Sequence, residues 1–300
     1  MHIGIFGGDT GGRAIDDIVA DARQAEADGF SSFALPQIFG LDAMAVLTIV
    51  GREVPRIELA TGVVPTYSRH PLTMAQQALT VAAASDGRFV LGIGLSHQFV
   101  IEHMFGLSFE KPVRHMREYL SVLVPLLEQG AVSYSGETIR TEAALGVDPR
   151  PACPVLVAAL GTQMLNLAGS LTQGTVTWMT GPRTLGEHTA PTINAAAERA
   201  GRPAPRVVAA LPVCVTADVE AARERAGEEF QVYGMLPSYR AMLDREGAEG
   251  PADVALVGDE DAVTAQVRAL ADAGATEFVA SCFGSRDERD RTRAVLRSLL

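Results

Sequence analysis

Ile57-Glu58-Leu59-Ala60-Thr61-Gly62-Val63 is a short β-rich run, Leu72–Ser85 after it carries a helical pattern, and Arg88-Phe89-Val90-Leu91-Gly92-Ile93 is a second short apolar run. The contrast between four-to-seven-residue runs and a segment of more than ten separates strands from helices. Strand, helix and strand in close succession predict a βαβ unit, which demands parallel pairing.

The same rhythm extends both ways. Upstream, strands are predicted at His2–Phe6 and Ser31–Leu35, and helices at Ile15–Asp28 and Ala43–Val54. Beyond Gly94 the alternation breaks. Ser96–Phe105 reads as a short helix, Val113–Gln129 as an amphipathic one, and Val132–Ile139 as a hairpin-like segment. Strands return at Pro154–Ala159, Thr175–Met179, Val207–Val215 and Glu277–Cys282. Helices follow at Gln163–Leu171, Thr184–Ala200, Asp218–Phe230, Glu260–Ala273 and Arg286–Leu300, with Gly234–Val257 irregular. Eight strands, each followed by a helix, fit a single (β/α)8 TIM barrel over residues 1–300, with insertions after strands 4 and 7. A doubly wound sheet usually needs fewer strands or a second domain.

Composition narrows the chemistry. Among 300 residues, 25 cations against 36 anions leave a net charge of −11, the wrong sign for a general nucleic-acid binder. Lys111 is the only lysine, and no phosphate-binding G-x-x-x-x-G-K-[ST] surrounds it, so Schiff-base and P-loop chemistry lack their residue. Cys153, Cys214 and Cys282 are odd in number and widely spaced, predicting small buried side chains rather than disulfides or a zinc site. The N-terminus lacks a signal-peptide pattern, and no apolar run reaches the roughly 20 residues of a membrane span. A cytoplasmic protein acting on a small molecule is the expectation.

Barrel function gathers where strands end. Those positions here are Gly7-Gly8-Asp9, Pro36-Gln37, Gly62-Val63-Val64-Pro65, Gly94-Leu95-Ser96-His97, Leu160-Gly161-Thr162, Trp178-Met179-Thr180-Gly181, Cys214 and Phe283-Gly284. They are small or apolar, and Asp9 is their only carboxylate. The six histidines form no metal-ligand set, carboxylate pairs are missing, and there is no G-x-S-x-G elbow. Such a mouth suits a flat, apolar ligand that carries its own chemistry. Gly94–His97 and Gly161–Gln163 each precede a helix, so they are either tight βα turns or phosphate-holding helix starts.

Three segments carry a resemblance. Ile57-Glu58-Leu59-Ala60-Thr61-Gly62-Val63-Val64-Pro65-Thr66-Tyr67-Ser68-Arg69-His70-Pro71 resembles the third-strand segment of the bacterial luciferase-like superfamily. Its coenzyme F420-dependent branch, which includes methylenetetrahydromethanopterin reductase, is the nearest likeness. Ser85-Asp86-Gly87-Arg88-Phe89-Val90-Leu91-Gly92-Ile93-Gly94 is similar to the fourth-strand signature, and Pro154–Gly169 to the fifth strand and phosphate loop. The resemblance implies a homodimer of (β/α)8 barrels with coenzyme F420, or alternatively FMN, lying across the strand ends. It also implies a non-prolyl cis peptide at Gly62–Val63. Ser96, His97, Gly161, Thr162 and Gln163 would face the phosphate and ribityl chain. Gly7, Pro36, Thr61, Gly62, Val63, Gly94, Leu95, Ala159, Trp178 and Met179 would complete the cofactor site.

Some assignments stay open at this level. Trp178 fits either a site wall or a core aromatic, His97 either a site role or a loop cap, and His70 a helix start. Several relatives carry an acid or a histidine at the end of the second strand, where this chain has Leu35-Pro36-Gln37-Ile38. Gln37 can hydrogen-bond a ring carbonyl or substrate but cannot act as a general acid. Gln37 and His97 are the catalytic candidates, for an F420-dependent hydride transfer. The alternatives are an FMN-dependent monooxygenase and a non-catalytic flavin- or deazaflavin-binding protein.

Overall fold

The chain order in a computed structural model, which describes residues 1–300, starts with β1 (His2–Phe6), α1 (Ile15–Ala27), β2 (Ser32–Leu35), α2 (Ala43–Glu53) and β3 (Glu58–Thr61). Next come β4 (Val64–Pro65), α3 (Pro71–Ala84) and β5 (Phe89–Gly94). A π-helical turn at Val100–Met104 leads to α4 (Pro112–Gln129) and the antiparallel hairpin β6 (Ala131–Ser135) and β7 (Arg140–Ala144). β8 (Val155–Ala158), α5 (Thr162–Leu171), β9 (Gly174–Trp178) and α6 (Pro182–Thr184) follow, and a second π turn, Leu185–Thr189, runs into α7 (Ala190–Arg199). After β10 (Arg206–Val215) stand α8 (Val219–Glu229), α9 (Gln231–Met235), α10 (Pro237–Glu246), α11 (Pro251–Val254) and β11 (Leu256–Gly258). The chain closes with α12 (Glu260–Asp272), β12 (Glu277–Cys282) and α13 (Arg286–Arg297).

β1, β2, β3, β5, β8, β9, β10 and β12 pair in that order, all parallel, and β12 pairs back with β1. The fold is a closed eight-stranded TIM barrel. Its interior is thin, filled by Ala34, Ala60, Val90, Leu156, Val176, Val208, Ala210 and Val279. The larger apolar core lies between strands and helices, where Phe33, Leu59, Phe89, Leu91 and Phe278 are fully buried. At the N-terminal end of the barrel Arg206 reaches Glu58 Oε1 at 2.6 Å and Glu277 Oε2 at 2.7 Å, closing it with an ionic cluster. The mouth is at the other end, where the βα loops emerge.

Both insertions are present, after the fourth and seventh barrel strands. Local detail departs from expectation in the third strand, in both insertions and in the predicted helix Thr184–Ala200, which is interrupted by the second π turn. The third strand stops at Thr61 rather than Val63: Gly62–Val63 is a cis peptide, and the chain resumes as β4 against β5. Ser96–Phe105 is a loop and a π turn rather than an ordinary helix. Gly234–Val257 is not irregular. It folds as the end of α9, then α10, α11 and the start of β11, with Pro237 and Pro251 opening helices and Gly247, at φ +79°, closing one. A second cis bond, Arg150–Pro151, precedes β8.

Gly92 shows why strand glycines matter here. A Cβ at that position would fall 1.9 Å from the Thr61 carbonyl oxygen, so only glycine lets β5 pass the point where β3 ends. No helix is long and apolar enough to cross a membrane.

Candidate active site

The floor of the mouth is aromatic. Phe6, at the end of β1, and Trp178, at the end of β9, stack with ring centroids 5.8 Å apart and planes 21° apart. A Cβ on Gly62 would meet the Phe6 ring at 2.8 Å, so the cis Gly62–Val63 segment lies against this floor. The Trp178 indole nitrogen is buried and makes no well-formed hydrogen bond, with the Tyr233 hydroxyl its neighbouring polar group. A buried donor without a partner is uncommon, and at a cleft floor it marks a position built for a ligand or water.

The roof comes from the second insertion. Tyr233 of α9 packs edge-on against Trp178, with centroids 5.8 Å apart, and Tyr239 of α10 packs edge-on against Tyr233 at 5.2 Å. His97, from the loop after β5, meets Tyr239 at 5.8 Å. Phe230 joins Trp178 to Phe283 by two further edge contacts. An aromatic arch thus links the fourth-strand loop, the seventh-strand insertion and the barrel floor.

Burial decides the charge states of this arch. Burial lowers the pKa of the half-buried His97 imidazole, so it is neutral at physiological pH. It raises those of the Tyr233 and Tyr239 phenols, which therefore keep their protons. Deeper in the wall, Tyr67 stacks face to face on His115 at 3.9 Å, and the His115 Nε2 lies 3.0 Å from Thr66 Oγ1. Burial pulls His115 down to about 4 and pushes Tyr67 up to about 12.

At the rim, α5 begins in the open. Gly161 provides no side-chain cap, Gly161, Thr162 and Gln163 are exposed, and nothing lies within 4 Å of a Cβ built on Gly161. The uncapped N–H groups and the helix dipole favour an anion there. The carbonyl just before this turn, Leu160 O, is held at 2.8 Å by Nε2 of His188, which is 8% exposed in the second π turn.

The other sequence-derived candidates divide by accessibility. Leu95, Ser96 and His97 are half-buried on the loop after β5. Ser96 and Met179 hold left-handed φ values of +62° and +54°, sparsely populated for side-chain-bearing residues and concentrated at functional sites. Thr61 is buried and exchanges hydrogen bonds with Gly92, donating to its carbonyl at 2.8 Å and accepting from its N–H at 2.9 Å. Pro36, Ala159, Met179 and Gly94 are likewise buried, supporting the mouth from behind. Gly7 donates to Ala34 O, and Gly7 O accepts from Arg13 at 2.7 Å. Gln37 Oε1 accepts the Ala43 N–H at 2.8 Å, beside the Asp42 cap of α2. That bond occupies one lone pair of the amide oxygen and leaves the second, with the amide donors, for a ligand.

Tyr233, Tyr239, Phe230, His188 and His115 were not legible as site residues. The spacing of Phe230 and Tyr233, three apart, was the one available signal. The reactive groups the mouth lacks are equally informative. No three His, Cys, Asp or Glu side chains converge on a common point. Burial holds the Cys153 and Cys282 thiols up at about 12 and also raises that of Cys214, which disfavours thiolate nucleophiles.

Known proteins match this chain in sequence and in fold. The luciferase-like monooxygenase family model matches residues 2–277. A 5,10-methylenetetrahydromethanopterin reductase from Archaeoglobus fulgidus is 33% identical over 254 residues, covering 83% of this chain and 72% of the relative. The solved coenzyme F420-dependent tetrahydromethanopterin reductase from Methanopyrus kandleri superposes with a TM-score of 0.81 at 22% identity, covering 99% of this chain and 96% of its own. An F420-dependent secondary alcohol dehydrogenase, solved with an F420-acetone adduct, gives a TM-score of 0.83 at 20% identity and covers 100% and 99%.

Proposed function

The chain belongs to the luciferase-like monooxygenase family, and from that premise we propose that it is a coenzyme F420-dependent oxidoreductase. The observation that carries this reading is the pairing of an aromatic floor with an open, uncapped helix start at the rim. A planar ring fits the first and a phosphate the second. The F420 dependence stated for the similar reductase and dehydrogenase is in keeping with a deazaflavin, and a monooxygenase of the same fold solved with FMN keeps FMN as the second reading. When bound, the deazaflavin supplies or accepts a hydride at its C5.

The protein's own residues then bind, orient and exclude water. Gly161, Thr162 and Gln163 hold the phosphate, and Ser96 and His97 the chain that leads to it. Gly62–Val63, Phe6 and Trp178 seat the ring, and Tyr233 and Tyr239 close over it. His97, being neutral, serves as a hydrogen-bonding partner. By the same reading the chain acts in the cytoplasm as a homodimer, the second part of which sedimentation of the purified protein tests.

Titration of purified protein with F420 and with FMN, followed by fluorescence, checks the cofactor. Tight F420 binding and turnover of the reduced form with 2-cyclohexen-1-one are expected. Binding of FMN alone replaces the deazaflavin with a flavin. Tight binding without turnover across a panel of enones makes the protein a cofactor carrier instead.

A further inference from the structure

The roof of the mouth is held by far fewer contacts than the barrel beneath it. α9 buries no side chain, and α10 buries only Met242 and Leu243, in its second half. Val232 and Met235 of α9 are 49% and 70% exposed, so the outer side of the roof meets solvent. Toward the floor the segment rests on ring contacts, Tyr233 on Trp178 and Tyr239 on Tyr233 and His97. A segment with so little burial opens locally unless something else fixes it.

Hydrogen bonds fix it at one place. The half-buried Glu246 carboxylate, at the end of α10, accepts the Arg183 N–H at 3.1 Å on one oxygen and the Thr184 N–H at 2.7 Å on the other. Both donors belong to the first turn of α6, where a helix has no acceptors of its own and Gly181 supplies no side-chain cap. A negative charge there also meets the positive end of the helix dipole. Thr184 Oγ1 adds a bond to Met242 O at 3.3 Å. α9 and α10 make no other well-formed hydrogen bond to a preceding βα loop, since Arg240 is directed to Asp244, Ala248 and Glu249 of the same insertion.

The receiving loop is shaped for that carboxylate. A Cβ on Gly181 would fall 2.4 Å from the Glu246 carboxyl carbon, so glycine leaves the space that the carboxylate fills. Gly181 has φ −78°, which any residue adopts, so the requirement is for room and not for backbone freedom. The same βα connection begins with Trp178 and continues to Arg183 and Thr184. One connection thus supplies both the floor of the mouth and the anchor of its roof.

We propose that Glu246 is a positioning residue of this site: it anchors α10 to the start of α6 and so holds Tyr239 and Tyr233 over Trp178, closing the mouth. Glu246 touches neither the floor nor the rings, and it acts through the helix that carries them. Without the clamp, Met242 and Leu243 still bury the second half of α10, while α9 and Tyr239 are left to ring contacts alone. The roof then lifts from the floor and admits solvent. Slower release of a bound ring is the consequence in wild type, and that step alone rests on the reading of the site as a deazaflavin site.

Trp178 is the only tryptophan, so its fluorescence reports on the floor and needs no ligand. Acrylamide quenching is compared in wild type, Glu246→Ala, Gly181→Ala and, as a control, Glu249→Ala, which removes an exposed carboxylate outside the clamp. In Glu246→Ala the quenching constant is expected to rise about threefold or more as local opening exposes the indole. Gly181→Ala displaces the carboxylate from the other side and should give the same rise, and the double variant no more than either alone. Glu249→Ala should match wild type. F420 release, followed by stopped-flow fluorescence, should quicken about tenfold in both clamp variants, the worth of about one hydrogen bond. Unchanged quenching in both clamp variants, or an equal rise in Glu249→Ala, overturns the anchoring role. Raised quenching with unchanged F420 release overturns the link to cofactor retention. A wild type that binds neither F420 nor FMN overturns the deazaflavin reading, and the quenching series then decides the role of Glu246 by itself.

Discussion

His188 illustrates how one buried side chain sets a site it does not face. The π turn at Leu185–Thr189 aims its imidazole at Leu160 O, the last carbonyl before the open start of α5. Removing the imidazole leaves that carbonyl unpaired and loosens Gly161–Gln163, where the proposed phosphate sits. His188→Leu should therefore weaken FMN or F420 binding about tenfold, the worth of one hydrogen bond of roughly 1–1.5 kcal/mol. Riboflavin, which lacks the phosphate, should bind both proteins alike. Fluorescence titration of the phosphorylated and unphosphorylated flavins decides it, because equal losses for both would make His188 a general packing residue. None of this was visible in the sequence. His188 reads there as an isolated histidine in a helical pattern, and its partner is 28 residues away.

Elements were legible to the degree that their signals were local. The eight barrel strands announce themselves as short apolar runs, and the closing helix combines a Ser285/Glu288 capping box with buried Val295 and Leu296. The segment over the mouth did not, because α9 to α11 are short and α10 buries only Met242 and Leu243. Without a sustained apolar face, periodicity has nothing to report. The first insertion adds a different lesson, since its hairpin is pinned from α4. Glu118 accepts from Glu137 N–H at 3.0 Å, Thr138 N–H at 2.9 Å, Thr138 Oγ1 at 2.6 Å and Ile139 N–H at 3.0 Å. Burial opposes its charge, but these bonds prevail and hold it at about 2, below its usual 4.5. A depressed carboxylate stabilises fully above its unfolded value and loses that contribution as pH falls through its folded value. Hydrogen exchange at Glu137–Ile139 should therefore lose protection between about pH 4.5 and 2 in wild type. Glu118→Ala should already lack about 2–3 kcal/mol of it at pH 7, with three backbone donors left unpaired. Equal protection in the two proteins at pH 7 would remove Glu118 from the account.

Across the whole molecule, the barrel separates stability from chemistry by placing them at opposite ends. Arg206, from β10, bridges Glu58 of β3 and Glu277 of β12, strands that are far apart in sequence and are separated in the sheet by β1 and β2. Burial disfavours the guanidinium charge, yet the two carboxylates more than restore it. In Arg206→Leu those carboxylates face each other without a counter-ion. Breaking a fully buried ion cluster costs about 3–5 kcal/mol, and because Arg206 here is 27% exposed the lower end, about 3 kcal/mol, is expected at pH 8. Repulsion raises a carboxyl pKa in the folded variant, and a raised carboxyl pKa penalises folding above that value and not below it. The deficit should accordingly shrink as pH falls from 8 to 5, which urea midpoints of both proteins at the two pH values measure. The mouth is unaffected in this scheme, so F420 affinity measured on the folded variant should match wild type. An equal deficit at both pH values would show that Arg206 contributes packing rather than charge. A variant with weakened cofactor binding would show that the two ends of the barrel are coupled through its thin interior of alanine and valine.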